Sequence, residues 1–199
     1  VAARAIQVLA FVGAPAAGKT EAASVAKTLG IPIITMGDVV RAELRRRGLP
    51  LSDENAGRIA SELRAREGMD AIAKRCIPHI RAIAGKKAVI VIDGIRGISE
   101  VETFKNEFGT DFTLVSVDAP LNLRYERIKT RGRGDDALSI DEFEAREERE
   151  NEWGLEEAMK NADKVITNTG SRELFKKQLE EILAASRQGY GNCSNSCGF

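Results

Sequence analysis

The sequence is poor in several features that would direct a reading elsewhere. It has three cysteines and one histidine. Cys76 stands alone in mid-chain, and Cys193 and Cys197 sit near the end, which is too few and too uneven for a disulfide framework. A structural zinc site wants four ligands, and His79 lies far from the terminal pair in sequence, so a metal there is disfavoured. This usage fits a reducing cytosol. No apolar run reaches the ~20 residues that a membrane helix needs. The apolar opening up to Val12 runs straight into a glycine-rich loop without a cleavage pattern before it, so it reads as a buried strand rather than a signal peptide. Lysine plus arginine (30) equals aspartate plus glutamate (30). Long-range attraction to nucleic acid or to a membrane surface is therefore not expected, and any phosphate binding must be local. A single soluble, cytoplasmic domain suits 199 residues.

What is present is an alternation of short apolar runs with longer helical patterns. Ile6–Val12, Pro32–Thr35, Ala88–Asp93, Phe112–Val117 and Lys164–Thr167 read as strands rich in Val and Ile. Continuous apolarity indicates strands buried on both faces, hence an α/β domain with a five-stranded parallel sheet between helices. Gly18–Leu29 carries a helical stripe that Gly30 stops. Val39–Arg47, Asp53–Glu67 and Met69–Ala84 read as helices of an insertion over about residues 38–85. A second insertion, about 131–157, opens with Gly132–Asp136 and continues as a highly charged helix, with Ser139 and Glu142 forming a capping-box signature. Residues 1–188 read as the domain. Residues 189–199 turn abruptly to Gly, Ser, Asn and Cys and read as a disordered tail or an appended remnant.

The strongest signal is Gly13-Ala14-Pro15-Ala16-Ala17-Gly18-Lys19-Thr20, which fits G-x-x-x-x-G-K-[ST]. Backbone N–H groups of such a loop turn around phosphate, Lys19 reaches the β and γ phosphates, and the Thr20 hydroxyl is a Mg²⁺ ligand. The helix starting there adds the positive end of its dipole. Val89–Asp93 has the form of the magnesium-side strand, with Asp93 at its carboxyl end. The next residue is Gly94, where proteins that hydrolyse ATP commonly carry a second carboxylate. A kinase must instead keep water from the γ-phosphate with segments that close, and the two insertions are placed to do so.

With these residues in view, the chain resembles the nucleoside monophosphate kinases and dephospho-CoA kinases. More closely, it resembles an archaeal family of P-loop kinase-like proteins related to both, over roughly residues 8–183. Thr35-Met36-Gly37-Asp38-Val39-Val40-Arg41 is similar to the G-D-x-x-R segment of adenylate kinases. The resemblance implies that Arg41 holds an acceptor phosphate, and that Asp38 lies near an attacking hydroxyl as in dephospho-CoA kinases. The alternative for Asp38 is a helix N-cap. Asp93-Gly94-Ile95-Arg96 resembles D-G-x-x-R with the arginine one residue early. Arg96 either binds the acceptor phosphate or pairs with Glu100 at helical spacing.

Arg124, Arg127, Arg131 and Arg133 cluster where the second insertion begins, and Arg127–Arg131 looks like the R-I-x-x-R leading into an adenylate kinase lid. By that resemblance these arginines cover the base and clamp phosphates. Arg146 and Arg149 lie among glutamates, and a solvated helix face laced with surface pairs is the favoured reading for them. Ala162–Gly170 is similar to the A-D-x-V-I-x-N-x-G end of dephospho-CoA kinases, which implies Asn168 and Gly170 beside the adenine. A plain turn with Ser171 capping the next helix is the alternative.

The expected function is phosphoryl transfer from Mg-ATP to a nucleotide or nucleotide-like acceptor. Lys19, Asp38, Arg127 and Arg131 are the catalytic candidates, Arg41 and Arg96 orient the acceptor, and Thr20 and Asp93 organise magnesium. A transfer to a hydroxyl would need Asp38 as base. A nucleotide-binding switch or slow ATPase acting through a protein partner stands as the second class.

Overall fold

The computed structural model describes residues 6–84, 89–131 and 139–191, with side chains of Arg131 and of residues 188–191 left out. Five strands, β1 (Gln7–Val12), β2 (Ile33–Thr35), β3 (Val89–Asp93), β4 (Phe112–Asp118) and β5 (Lys164–Thr167), form one sheet in the order β2-β3-β1-β4-β5. Every pairing is parallel. Both faces of its central strands are apolar. Val8, Ala10 and Val12 of β1 point into one core with Ile90 and Ile92 of β3, and Leu9 and Phe11 point into the other with Val89 and Val91. Full burial of such a side chain is worth about 1.5–3 kcal/mol, so this double-faced packing is what selects the parallel sheet.

On the second face lie α1 (Lys19–Thr28) and α9 (Arg172–Gly191), through Ala22, Val25, Phe175 and Leu179. The first face carries α2 (Gly37–Arg46), α3 (Asp53–Glu67), α4 (Ala71–Ala84), α5 (Ile98–Phe108) and the short α8 (Leu155–Lys160). The two remaining helices are α6 (Leu121–Arg131) and α7 (Ile140–Glu152). Ser52 caps α3 by accepting the Asn55 N–H at 3.1 Å, and Ser139 with Glu142 makes the expected capping box on α7.

Three expectations are corrected. Asp38 is not a cap, because α2 already begins at Gly37 with Met36 at the cap position and no side-chain bond there. The charged insertion is not one helix to residue 157. It stops at Trp153, the left-handed Gly154 (φ 87°) turns the chain, and α8 packs Leu155 and Ala158 into the core. A glycine is also needed at Gly97, where a Cβ would collide with the Trp153 carbonyl oxygen. Finally, α9 runs on to Gly191, three residues into the expected tail, while residues 192–199 with Cys193 and Cys197 lie outside the described residues. The sequence start (residues 1–5) and Gly132–Asp136, including Arg133, lie outside them too.

Candidate active site

The site grows from the carboxyl ends of the parallel strands. Register pairs Phe11 with Asp93 and Thr35 with Asp93, so the acid at the end of β3 stands between the loop leaving β1 and the end of β2. Residues 13–18 form that loop. Ala17 N–H closes a turn on the Ala14 carbonyl at 3.1 Å, and Ala16 is held at φ 61°. Two glycines in it are required by space. A Cβ on Gly13 would lie 2.5 Å from the Val117 carbonyl oxygen, and one on Gly18, at φ 124°, would lie 2.6 Å from Asn168 Nδ2. Gly18 also leads directly into α1, whose first N–H groups face the loop.

Lys19 is 9% exposed. Its Nζ donates to the Gly13 carbonyl and, at 2.9 Å, to the Ala14 carbonyl, so the ammonium closes on its own loop. Burial, reinforced by the Arg96 charge and opposed by Glu150 and Asp93, brings its pKa down to about 7. Burial pushes the Asp93 carboxyl above the usual range, against the opposing pull of Lys19, Arg96 and Arg41. Thr20 is exposed on the cavity wall.

Behind the loop, Asn168 is buried and donates Nδ2 to the Ala17 carbonyl at 2.8 Å. Arg127 Nη2 donates to the Asn168 carbonyl at 2.9 Å, which locks α6 to the loop after β5. Gly170 also borders the cavity, and Ser171 accepts the Leu174 N–H at 3.2 Å, so this loop is both a helix start and part of the site wall. Arg124 is buried on the loop's other flank. It donates to the Ala119 carbonyl at 2.9 Å and to the Pro15 carbonyl at 3.3 Å, and its guanidinium forks onto Glu147 of α7 at 2.7 and 3.0 Å.

The face of α7 that looks inward is charged, which corrects the expectation of a solvated surface. Phe143, Arg146, Glu147 and Glu150 recur at i, i+3, i+4 and i+7, and Phe143 and Glu150 are 0% and 3% exposed. Glu150 accepts from Arg96 Nη1 at 2.5 Å and lies 3.4 Å from Arg146 Nε. Burial alone would raise its carboxyl pKa, but Arg96, Lys19 and Arg146 outweigh it and hold the group below the usual range. Arg146 and Arg149 both reach Asp53 at the start of α3, at 3.5 and 3.0 Å. Arg96 therefore pairs with the lid helix, not with Glu100. Glu100 instead accepts the Arg96 backbone N–H at 2.7 Å and the Arg64 guanidinium at 2.8 Å.

These elements enclose a cavity of about 1090 Å³. Its wall joins Lys19, Thr20, Asp93, Arg41, Arg96, Arg127, Asn168 and Gly170, all of them expected site residues. Asp38 is not on that wall: its carboxylate is 66% exposed and is held by Arg41 at 2.7 and 2.9 Å. Eight cationic side chains face four anionic ones on the lining, an excess of four positive charges in a chain with none overall. Sequence reading missed Glu150, Asp53, Arg64 and Trp153. The signal for Glu150 was its phase with Phe143 on one helical face.

A parallel five-stranded sheet, a phosphate loop and a helical lid over a cationic cavity define a P-loop kinase fold. Solved structures share it: a dephospho-CoA kinase from Campylobacter jejuni (TM-score 0.61, 16% identity, 92% of this chain and 98% of that one) and a gluconokinase from Sinorhizobium meliloti 1021 (TM-score 0.56, 16% identity, 96% and 99%). Residues 12–144 match the sequence family described as AAA domain. The chain is 49% identical over 179 residues to a UPF0200 protein of Methanosarcina barkeri, covering 90% of this chain and 95% of that one. It is 55% identical over 178 residues to a UPF0200/UPF0201 protein of Archaeoglobus fulgidus, of whose length it spans 55%. The chain belongs to the archaeal UPF0200 family, within that AAA-domain group of P-loop kinase-like proteins. Among the described residues no helix is long and apolar enough to cross a membrane.

Proposed function

We propose that this protein transfers the γ-phosphoryl group of Mg-ATP to a nucleotide or nucleotide-like acceptor. One observation carries the reading. Lys19 and Asp93 sit at the mouth of a phosphate loop in the same cavity as Arg41, Arg96 and Arg146, a density of positive charge suited to two phosphorylated ligands and to the charge of the transferring group. The loop N–H groups and Lys19 hold the donor phosphates, and Arg127, Asn168 and Gly170 face its base side. Arg131, at the end of α6, stays a candidate for meeting the transferring group. The acceptor oxygen attacks the γ-phosphorus as the bond to the β–γ bridging oxygen breaks, and ADP leaves with that oxygen.

The Thr20 hydroxyl and the Asp93 carboxylate are hard oxygen donors on the same wall, so they fit magnesium, held directly or through water. Bound there, the ion would supply neutralisation of charge on the β and γ phosphates. A phosphate acceptor arrives ionised and needs no base. That favours it over a hydroxyl acceptor, because the base candidate Asp38 is turned outward onto Arg41.

The test is ADP release from Mg-ATP across nucleoside monophosphates, nucleosides and dephospho-CoA, with Lys19→Ala as the blank. Stimulation by one acceptor, absent in the blank, is expected. Turnover that ignores every acceptor would reject this reading in favour of an ATP-driven switch acting on a protein partner.

A further inference from the structure

Two arginines on the cavity wall each keep a buried N–H that meets nothing among the described residues. Arg64 of α3 is 4% exposed and borders the cavity. Its Nη2 donates to Glu100, its guanidinium lies 4.2 Å from the centroid of the Trp153 ring, and its Nη1 has no partner. Arg149 of α7 comes within 5.8 Å of the same ring, donates Nη2 to Asp53, and leaves Nε without a partner. Buried guanidinium donors are costly to leave unmet, and the fork of an arginine matches the oxygens of a carboxylate or phosphate.

The surrounding wall is shaped to admit a ligand. Its α3 side is Ala56, Gly57 and Ala60, and a Cβ on Gly57 would sit 3.1 Å from Arg149 Cζ. Glycine inside a helix is unfavourable relative to alanine, and here it makes room for the guanidinium. Val40 and Ile72 supply an apolar floor for a carbon skeleton. Glu100, buried behind the wall, ties Arg64 to the Arg96 backbone, one of its oxygens taking each.

We infer that Arg64 and Arg149, against Trp153, form a subsite for an oxyanion, carboxylate or phosphate, that the acceptor carries apart from the atom receiving the phosphoryl group. The inference rests on the phosphoryl-transfer reading for calling this the acceptor's end of the cavity. An acceptor whose only anion is the phosphate at the reaction centre fills the cavity incompletely. Both N–H groups are covered in this structure, so occupancy shifts the guanidiniums against the indole.

Trp153 is the one tryptophan of the chain, and its emission reads that shift directly. The full chain carrying Lys19→Ala, which weakens the phosphate loop as a competing anion site, is titrated with inorganic phosphate and separately with malonate. A saturable change in emission is expected, and the anion with the smaller constant identifies the class. Arg149→Gln, and the paired change Arg64→Met with Glu100→Gln that removes both buried charges together, should each weaken binding by about tenfold or more, as for a lost hydrogen bond to a charged group. Gly57→Ala, a favourable exchange for a helix, should weaken it too by displacing Arg149. No saturable change with either anion, or constants identical across these variants, would overturn the inference. Acceptor-stimulated ADP release by the unmodified chain tests the transfer reading independently, so either can fail alone.

Discussion

Lys19 is held by carbonyls five and six residues before it, whereas Arg96 is held by a carboxylate fifty-four residues further on. That contrast divides the cavity. The donor end is made of neighbours in sequence and of backbone groups, fixed by the sheet register and by two glycines that tolerate no side chain. The lid end is made of charges from three segments, Asp53 of α3, Arg96 after β3, and Arg146, Arg149 and Glu150 of α7, that neutralise one another. A local loop is preformed. At the lid end, the carboxylates paired with the arginines keep bare charge from being buried.

The largest way to break this comparison is at the donor end. Lys19→Ala should lower phosphoryl transfer by about a hundredfold or more, since one lost donor to a reacting oxyanion commonly costs that much. Nucleotide binding by calorimetry and steady-state turnover both report it. Next comes the deepest ion pair, Arg64 of α3 with Glu100 of α5. Arg64→Ala leaves Glu100 buried without its counterion and should cost about 3–5 kcal/mol in denaturant unfolding, while the paired change with Glu100→Gln costs much less. Equal losses in the two would mean that the pair's charge is not what matters.

Smaller in effect is Glu150→Gln. It removes the anion that acts on both Arg96 and Lys19, so Mg-ATP should bind roughly tenfold more tightly, the scale of one charge acting through partly screened protein. Weaker binding would show that Glu150 supports the ligand rather than stands in for it. The finest test is pH. Folded Lys19 titrates at about 7, below its ordinary 10.5. Between those values the unfolded chain holds a proton that the folded chain has released, so this group's contribution to stability rises with pH and is lost as pH falls through about 7. The melting-temperature advantage of Lys19→Met over the native chain should therefore shrink from pH 7 to pH 10. A constant gap would place the Lys19 pKa outside that window.

The donor end was legible in the sequence because motif and geometry coincide there: G-x-x-x-x-G-K-T names the loop, and apolar runs such as Val89–Ile92 name the strand that delivers Asp93. The five strands fell within a residue or so of where Val and Ile clustering put them. The lid end was not legible. Glutamate and arginine side by side read as solvent-facing, and only the phase of Phe143 with Glu150 hinted that this face turns inward. Asp38 shows the opposite failure: its position suggested a cap or a base, but a neighbouring arginine three residues on claims the carboxylate first. Pairings such as Arg149 with Asp53, ninety-six residues apart, exist only once the helices are stacked.

The most direct test of the whole account is phosphorus NMR of the protein with Mg-ATP and the acceptor that most stimulates ADP release. Phosphoryl transfer predicts a new phosphorylated-acceptor resonance growing in equal amount with ADP, absent in Lys19→Ala. ADP accompanied only by inorganic phosphate would contradict the account and leave a nucleotide-driven switch in its place.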